Sequence, residues 1–166
     1  EKSVRAVETA MMGDQKVYLV TQRNPQQEVP TAADLYQMGT VSQIKQIVKM
    51  PNGILRVMVE GLERAALLTL FEDGQYLEAE IEDAPMQEEQ LSDTVKEAMS
   101  RIVKEKLEEF GNANPKAVKD FIGSLLVITD LEPLLTQTAN EFPWDFAVKQ
   151  ELLECDYVSH LYDRIV

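Results

Sequence analysis

The sequence has a single cysteine, Cys155, and a single histidine, His160, among 166 residues. One cysteine allows no intramolecular disulfide, so a disulfide-stapled secreted scaffold is excluded. One Cys and one His are too few for a zinc site of the Cys/His type within the chain. No apolar run is long enough to span a bilayer, and the N-terminus has no signal-peptide h-region. Basic residues are also scarce. Lys plus Arg number 16 against 29 Asp plus Glu, a net charge of −13. That balance argues against nucleic acid and anionic lipid as partners, because both require a basic footprint. What remains is ordinary for a globular protein: 45% hydrophobic and 27% charged residues, enough to bury a core. The chain opens on Glu1 rather than Met, which reads as a fragment or a processed product.

The two halves differ in texture. Five of the seven glycines (Gly13, Gly39, Gly53, Gly61 and Gly74) fall in the first half, between short β-branched runs. The second half shows helical periodicity. The expectation is an α+β protein with a β-rich subdomain over 1–84, a polar linker over 85–90 and a helical subdomain over 91–166.

The first element reads as a short helix capped by Ser3, with Val4, Val7 and Met11 on one stripe and Gly13 closing it. Lys16 to Gln22 reads as a strand, apolar enough in its centre to be covered on both faces. Pro25 and Pro30 mark a loop, and Thr31 or Asp34 suits the cap of a helical turn through Leu35 and Tyr36. Gly39 to Met50 and Ile54 to Glu60 form two arms of a hairpin about Asn52-Gly53, a dipeptide whose residues both tolerate positive φ. Gly61 is placed to bend or bulge the chain. A second strand pair is expected over Ala65–Phe71 and Tyr76–Ile81. The helices expected after the linker open at Leu91, at Pro115, at Asp130 and at Asp145. A last one is capped by Asp156, and Gly111 with Asn112 ends the first of them.

Catalytic motifs are few. His160 sits in an amphipathic helical stretch, five residues from Cys155, which does not make helix neighbours. There is no Gly-x-Ser-x-Gly elbow, no phosphate-binding Gly-x-x-x-x-Gly-Lys and no Gly-x-Gly-x-x-Gly. Acidic pairs such as Glu88-Glu89 and Glu108-Glu109 read as solvated helix faces. The expectation is a domain with no catalytic, metal or cofactor residues of its own. A binding surface is more legible. Along Ile54–Glu60 side chains alternate. Leu55, Val57 and Val59 share one face, while Ile54 and Met58 share the other with Arg56 and Glu60. With Met50 and Pro51 at the turn, Ile54 and Met58 would make an exposed apolar strip, the candidate substrate-binding surface.

Three stretches in fixed order carry a family resemblance. They are Pro30-Thr31-Ala32-Ala33-Asp34-Leu35-Tyr36-Gln37-Met38-Gly39-Thr40-Val41, then Lys49-Met50-Pro51-Asn52-Gly53, then Arg56-Val57-Met58-Val59-Glu60-Gly61-Leu62-Glu63-Arg64-Ala65. This series resembles the N-terminal domain of the ATP-dependent Lon proteases. Glu1 to Glu8 is similar to that family's first helix, and Lys149 to Glu154 to a late helical segment. The resemblance implies a PUA-like β-rich subdomain followed by a helical bundle. It implies strands ahead of residue 1 and a last helix continuing past residue 166. It implies a role in recognising unfolded or degron-bearing proteins and in assembling a hexamer. The AAA+ motor, the Ser-Lys peptidase, and the ATP and Mg they use, would lie elsewhere in a longer cytoplasmic protein. The alternative is a stand-alone ligand- or adaptor-binding module of the same fold. RNA binding, which PUA-like architecture alone suggests, conflicts with the charge.

Overall fold

The computed structural model describes residues 1–114 and 119–166. It divides into two compact units, Glu1–Pro85 and Met86–Val166. The turn assigned above to Pro115 lies outside the described residues.

The first unit opens with helix α1, Lys2–Met11, whose N-cap is Glu1 rather than Ser3. No side chain caps it, but the Glu1 carboxylate accepts from Arg5 at 3.1 Å, one turn on. The helix ends as expected near Gly13, whose N–H donates to Ala10 O at 3.0 Å. The left-handed residue is Gln15 (φ +61°), not the glycine. It turns the chain into β1, Lys16–Leu19.

Four antiparallel strands follow the order β1-β2-β3-β4, with β2 at Met38–Lys49, β3 at Leu55–Phe71 and β4 at Glu78–Asp83. The expectation that β1 is covered on both faces fails. It is an edge strand of four residues, and Leu19 is 45% exposed. Beyond β1 the chain pairs once more, outside the sheet's strands, in an isolated antiparallel bridge between Gln22 and Leu35. Thr31 caps a 3-10 turn over Ala32–Asp34 by a reciprocal pair of bonds with Asp34. Leu35 is already extended, so the turn stops short of Leu35 and Tyr36.

The strands expected on either side of Gly61 are one continuous strand, β3. It stays continuous by absorbing extra residues. Leu62 has no partner between the pairs Val41–Glu63 and Ser42–Gly61, and Leu68 none between Leu67–Ile81 and Thr69–Glu80. On β2, Lys45 is the extra residue. Such bulges bend and twist a strand without ending it. The core of this unit is small: Leu35, Ile44, Ala65 and Leu67 are buried, with Ser42 beside them. Arg64 secures the end of β4 by donating to Ala84 O at 2.6 Å and Pro85 O at 3.3 Å.

The second unit is helical: α2 Asp93–Ala113, α3 Lys119–Leu126, α4 Leu131–Glu141, α5 Phe146–Leu153 and α6 Val158–Ile165. Ser92 caps α2 by accepting from Val95 N–H at 3.3 Å. Gly111 does not end that helix. It lies inside it, where an added Cβ would stand 3.2 Å from Ile122 Cδ1, so its smallness serves packing against α3. Asp130 and Asp145 are N-caps by position, as expected, but α6 starts after Tyr157 rather than Asp156. The helix α4 is central: Leu134 and Leu135 are fully buried, and Thr138 returns its hydroxyl to Leu134 O at 2.7 Å. Val103, Leu107, Leu125, Leu152 and Leu161 close round it. Phe142 is the hub of an aromatic group, 4.6 Å from Phe110 and 4.4 Å from Trp144 between ring centroids.

Candidate functional site

The hairpin joining β2 and β3 is built from its turn outward. Pro51 fixes φ at the first turn position. Gly53 N–H donates to Met50 O at 3.1 Å, and Met50 N–H to Ile54 O at 2.8 Å. Only Gly53 stands at positive φ (+79°), so the turn spans Pro51-Asn52-Gly53 and is not the two-residue Asn-Gly turn expected. Asn52 contributes by its side chain, accepting Ile54 N–H at Oδ1, 3.3 Å.

The register then decides what shares a face. Arg56 pairs with Val48, Val57 with Ile47, and Met58 with Gln46. Ile54, Arg56 and Met58 therefore point to one side, and Leu55 and Val57 to the other. Ile54 is 59% exposed, Met58 60% and Met50 37%; Pro51 is also exposed. The structure thus brings all four candidate residues to the tip and one face of this ribbon. Along the strand Ile54 and Met58 are roughly 13 Å apart at about 3.4 Å per residue. Val48, 41% exposed and opposite Arg56, lies between them on the neighbouring strand. Sequence reasoning missed Val48; the signal was the hairpin register, which only a correct turn assignment yields. The opposite face is incompletely covered too: Leu55 and Val57 are half-buried, and Val59 is exposed.

Charges frame the strip. Lys45 pairs with Glu60 at 2.6 Å and Lys49 with Glu8 at 3.4 Å. Arg56, in the middle of the strip, has no ion-pair partner among the described residues. The strip is therefore apolar with one free cation in an acidic protein.

Nothing else in the first unit gathers chemistry. A cleft of about 600 Å³ runs between α1, the edge strand β1 and the Tyr76–Ala79 approach to β4. The Tyr76 phenol there has its pKa raised by its bond to Glu78 and by that charge, a local pairing rather than a poised acid. Tyr18 is raised by burial as it donates to Ala65 O at 3.1 Å. In the second unit His160 is exposed and meets the Tyr157 ring edge-on at 5.1 Å, and the Cys155 thiol donates to Glu151 O at 3.4 Å. Among the described residues no three carboxylates, histidines or cysteines converge on a metal position, and no helix is long and apolar enough to cross a membrane.

Comparison with known proteins meets this geometry over its whole length. A family model described as the ATP-dependent protease La (LON) substrate-binding domain matches residues 1–165. The chain is 35% identical over 163 residues to a Lon protease of Lachnoclostridium phytofermentans, covering 98% of this chain and 20% of that protein. It is 35% identical over 166 residues to a Lon protease of Azospirillum brasilense, covering 99% of this chain and again 20% of the relative. The chain thus spans about a fifth of the length of the curated relatives it matches. Among solved structures, the N-terminal domain of the Mycobacterium avium complex Lon protease superposes with a TM-score of 0.69 at 19% identity, over 99% of this chain and 83% of that one. That likeness speaks for the α+β fold.

Proposed function

We propose, from the premise that this chain belongs to the substrate-binding domain family of the ATP-dependent protease La (Lon), that it captures exposed apolar segments of unfolded or degron-bearing proteins on the β2–β3 hairpin. The observation that carries the reading is the strip itself. Met50, Pro51, Ile54 and Met58, joined by Val48, hold apolar side chains in solvent on a ribbon whose turn is fixed by its own hydrogen bonds. Exposed apolar sets of this kind mark interaction surfaces, and methionine suits a surface that must fit many sequences.

Burial of Ile or Met removes apolar area worth about 1.5–3 kcal/mol per side chain at best, so one strip binds weakly. Several copies acting on one client raise the apparent affinity without any new contact. The reading therefore includes assembly with further copies as a hexamer. It assigns nucleotide and magnesium chemistry and peptide cleavage to the AAA+ and peptidase domains of a longer protein, and not to this chain. A cytoplasmic setting suits a chain with a single thiol, Cys155, in no disulfide.

The test is a titration of a reduced, alkylated model protein against the chain and against Ile54→Asp and Met58→Asp. Both positions are exposed, so the fold persists and circular dichroism verifies it. Affinity falls by about tenfold or more in each variant, as a charge replaces a buried apolar contact. Unchanged binding by the folded variants would remove the strip from the mechanism.

A further inference from the structure

A groove of about 820 Å³ crosses the helical unit, where residues 86–91 run past the N-terminal half of α2 and the first turn of α4. Its volume lies within the roughly 300–1,000 Å³ common for ligand clefts. Met86, Leu91, Leu131 and Val158 give it apolar wall, and its rim is acidic: Glu88, Glu89, Asp93, Glu97, Asp130 and Glu132 line it against one cation, Lys96.

Part of that acid is accounted for locally. The helices α2, α4 and α6 all begin at this groove, with Asp93, Glu132 and the Glu89-bound Ser159 in their first turns. Each helix end carries roughly half a positive charge, so three ends and Lys96 offset about 2.5 of the six carboxylates. More than three negative charges are left uncompensated. They are spread along the rim, and no three converge on a point among the described residues, which rules against a divalent ion as the occupant.

Ser100 is the second, independent sign. It is only 9% exposed and lines the groove, and its hydroxyl, open to the groove rather than enclosed, makes no hydrogen bond among the described residues. A serine this buried in a helix ordinarily returns its hydroxyl to a backbone carbonyl, as Thr138 does. An Oγ left open at the foot of an acidic groove is a ready acceptor for an ammonium, a guanidinium or a backbone N–H.

We infer that this groove holds an extended polypeptide segment carrying Lys or Arg residues alternating with aliphatic ones. The cations lie against the rim, the aliphatic side chains against Leu131 and Val158, and a donor reaches Ser100. The site is separate from the hairpin strip and does not depend on that surface being used.

The experiment is fluorescence anisotropy of a labelled nonapeptide of alternating Lys and Leu, titrated with the whole chain. The double variant Glu97→Lys with Glu132→Lys weakens binding by about tenfold or more, since each reversal replaces an attraction with a repulsion. A peptide with Glu in place of Lys does not bind, and Met58→Asp leaves the affinity of the Lys peptide unchanged. Two results would overturn the assignment. One is unchanged affinity in a folded groove double variant. The other is an equal loss from Glu63→Lys with Glu80→Lys, exposed positions on the β-rich unit, which would make net charge rather than the groove the cause.

Discussion

Glu89 grips the first turn of α6 with both carboxylate oxygens. Oε1 accepts the Ser159 hydroxyl at 2.6 Å and Oε2 accepts the Ser159 N–H at 3.0 Å, across 70 residues of sequence. The contact fixes the segment before α2 to the last helix, and it supplies that helix with the cap its own N-cap residue, Tyr157, does not provide. The Ser159 hydroxyl, then its amide, hold the Glu89 carboxyl below the usual glutamate range. A lowered folded value means stabilisation that is complete above the unfolded value of about 4.3 and lost as pH falls through the folded one. Glu89→Gln keeps one acceptor but loses the charge. Its melting temperature falls at neutral pH, and the gap to the parent protein is constant above about pH 5 and closes below about pH 4. Thermal melts across pH 3–7 check this; a gap that persists at pH 3 would point to lost packing instead. Asp34, lowered by the Thr31 amide first and its hydroxyl next, gives the same sign in the β-rich unit.

Gly39 leaves no room for a side chain beneath Tyr18. A Cβ on Gly39 would stand 2.6 Å from the Tyr18 ring and closer still to the Leu19 carbonyl oxygen. Tyr18 is itself held there, donating to Gln37 O and Ala65 O. Gly39→Ala therefore destabilises the β-rich unit by the ~1–3 kcal/mol typical of overpacking, or more. Tyr18→Phe, which loses only the hydroxyl, costs about 1 kcal/mol. Urea denaturation gives both values. Truncating the ring does not rescue Gly39→Ala, because the backbone oxygen of Leu19 stays in place; full rescue by Tyr18→Ala would show that the ring alone sets the limit.

The helical half was readable because periodicity over a long segment survives small errors at the ends. Leu91 to Phe110 marks α2 by its threes and fours, and Ser92 is the residue type that caps. Its failures are local. Gly111 has the look of a terminator, but Ile122, eleven residues on, is what requires a glycine there. The strands were harder, since an extra residue inverts the alternation. Leu62, Leu68 and Lys45 each do so, and β3 was split into two on paper at Gly61, beside the first of them; Val48 was hidden by the turn assignment instead. The edge position of β1 depends on the order of strands, and no local pattern in Lys16–Leu19 reports it. The groove round Ser100 was illegible for the same reason. Glu88, Glu97, Asp130 and Glu132 belong to three segments that only the packing of α2 on α4 brings together.

The hairpin tip separates backbone cost from side-chain cost. Gly53 stands at φ +79°, yet an added Cβ there meets nothing within 4 Å. The penalty for Gly53→Ala is therefore conformational alone, about 1–2 kcal/mol. Asn, which tolerates the left-handed region, costs less than Ala, and Gly53→Val exceeds Ala only by the extra stiffness of its branched side chain. Urea denaturation of the three variants gives the order. The same variants bear on the apolar strip, because the bonds from Gly53 to Met50 and from Met50 to Ile54 set how those two side chains are presented. Gly53→Asn, which preserves the turn, binds the unfolded model protein like the parent. Gly53→Ala strains it and binds more weakly, while Met50, Ile54 and Met58 remain present in both. Equal binding by Gly53→Asn and Gly53→Ala would mean that the presence of the apolar side chains suffices, and that their arrangement by the turn does not matter.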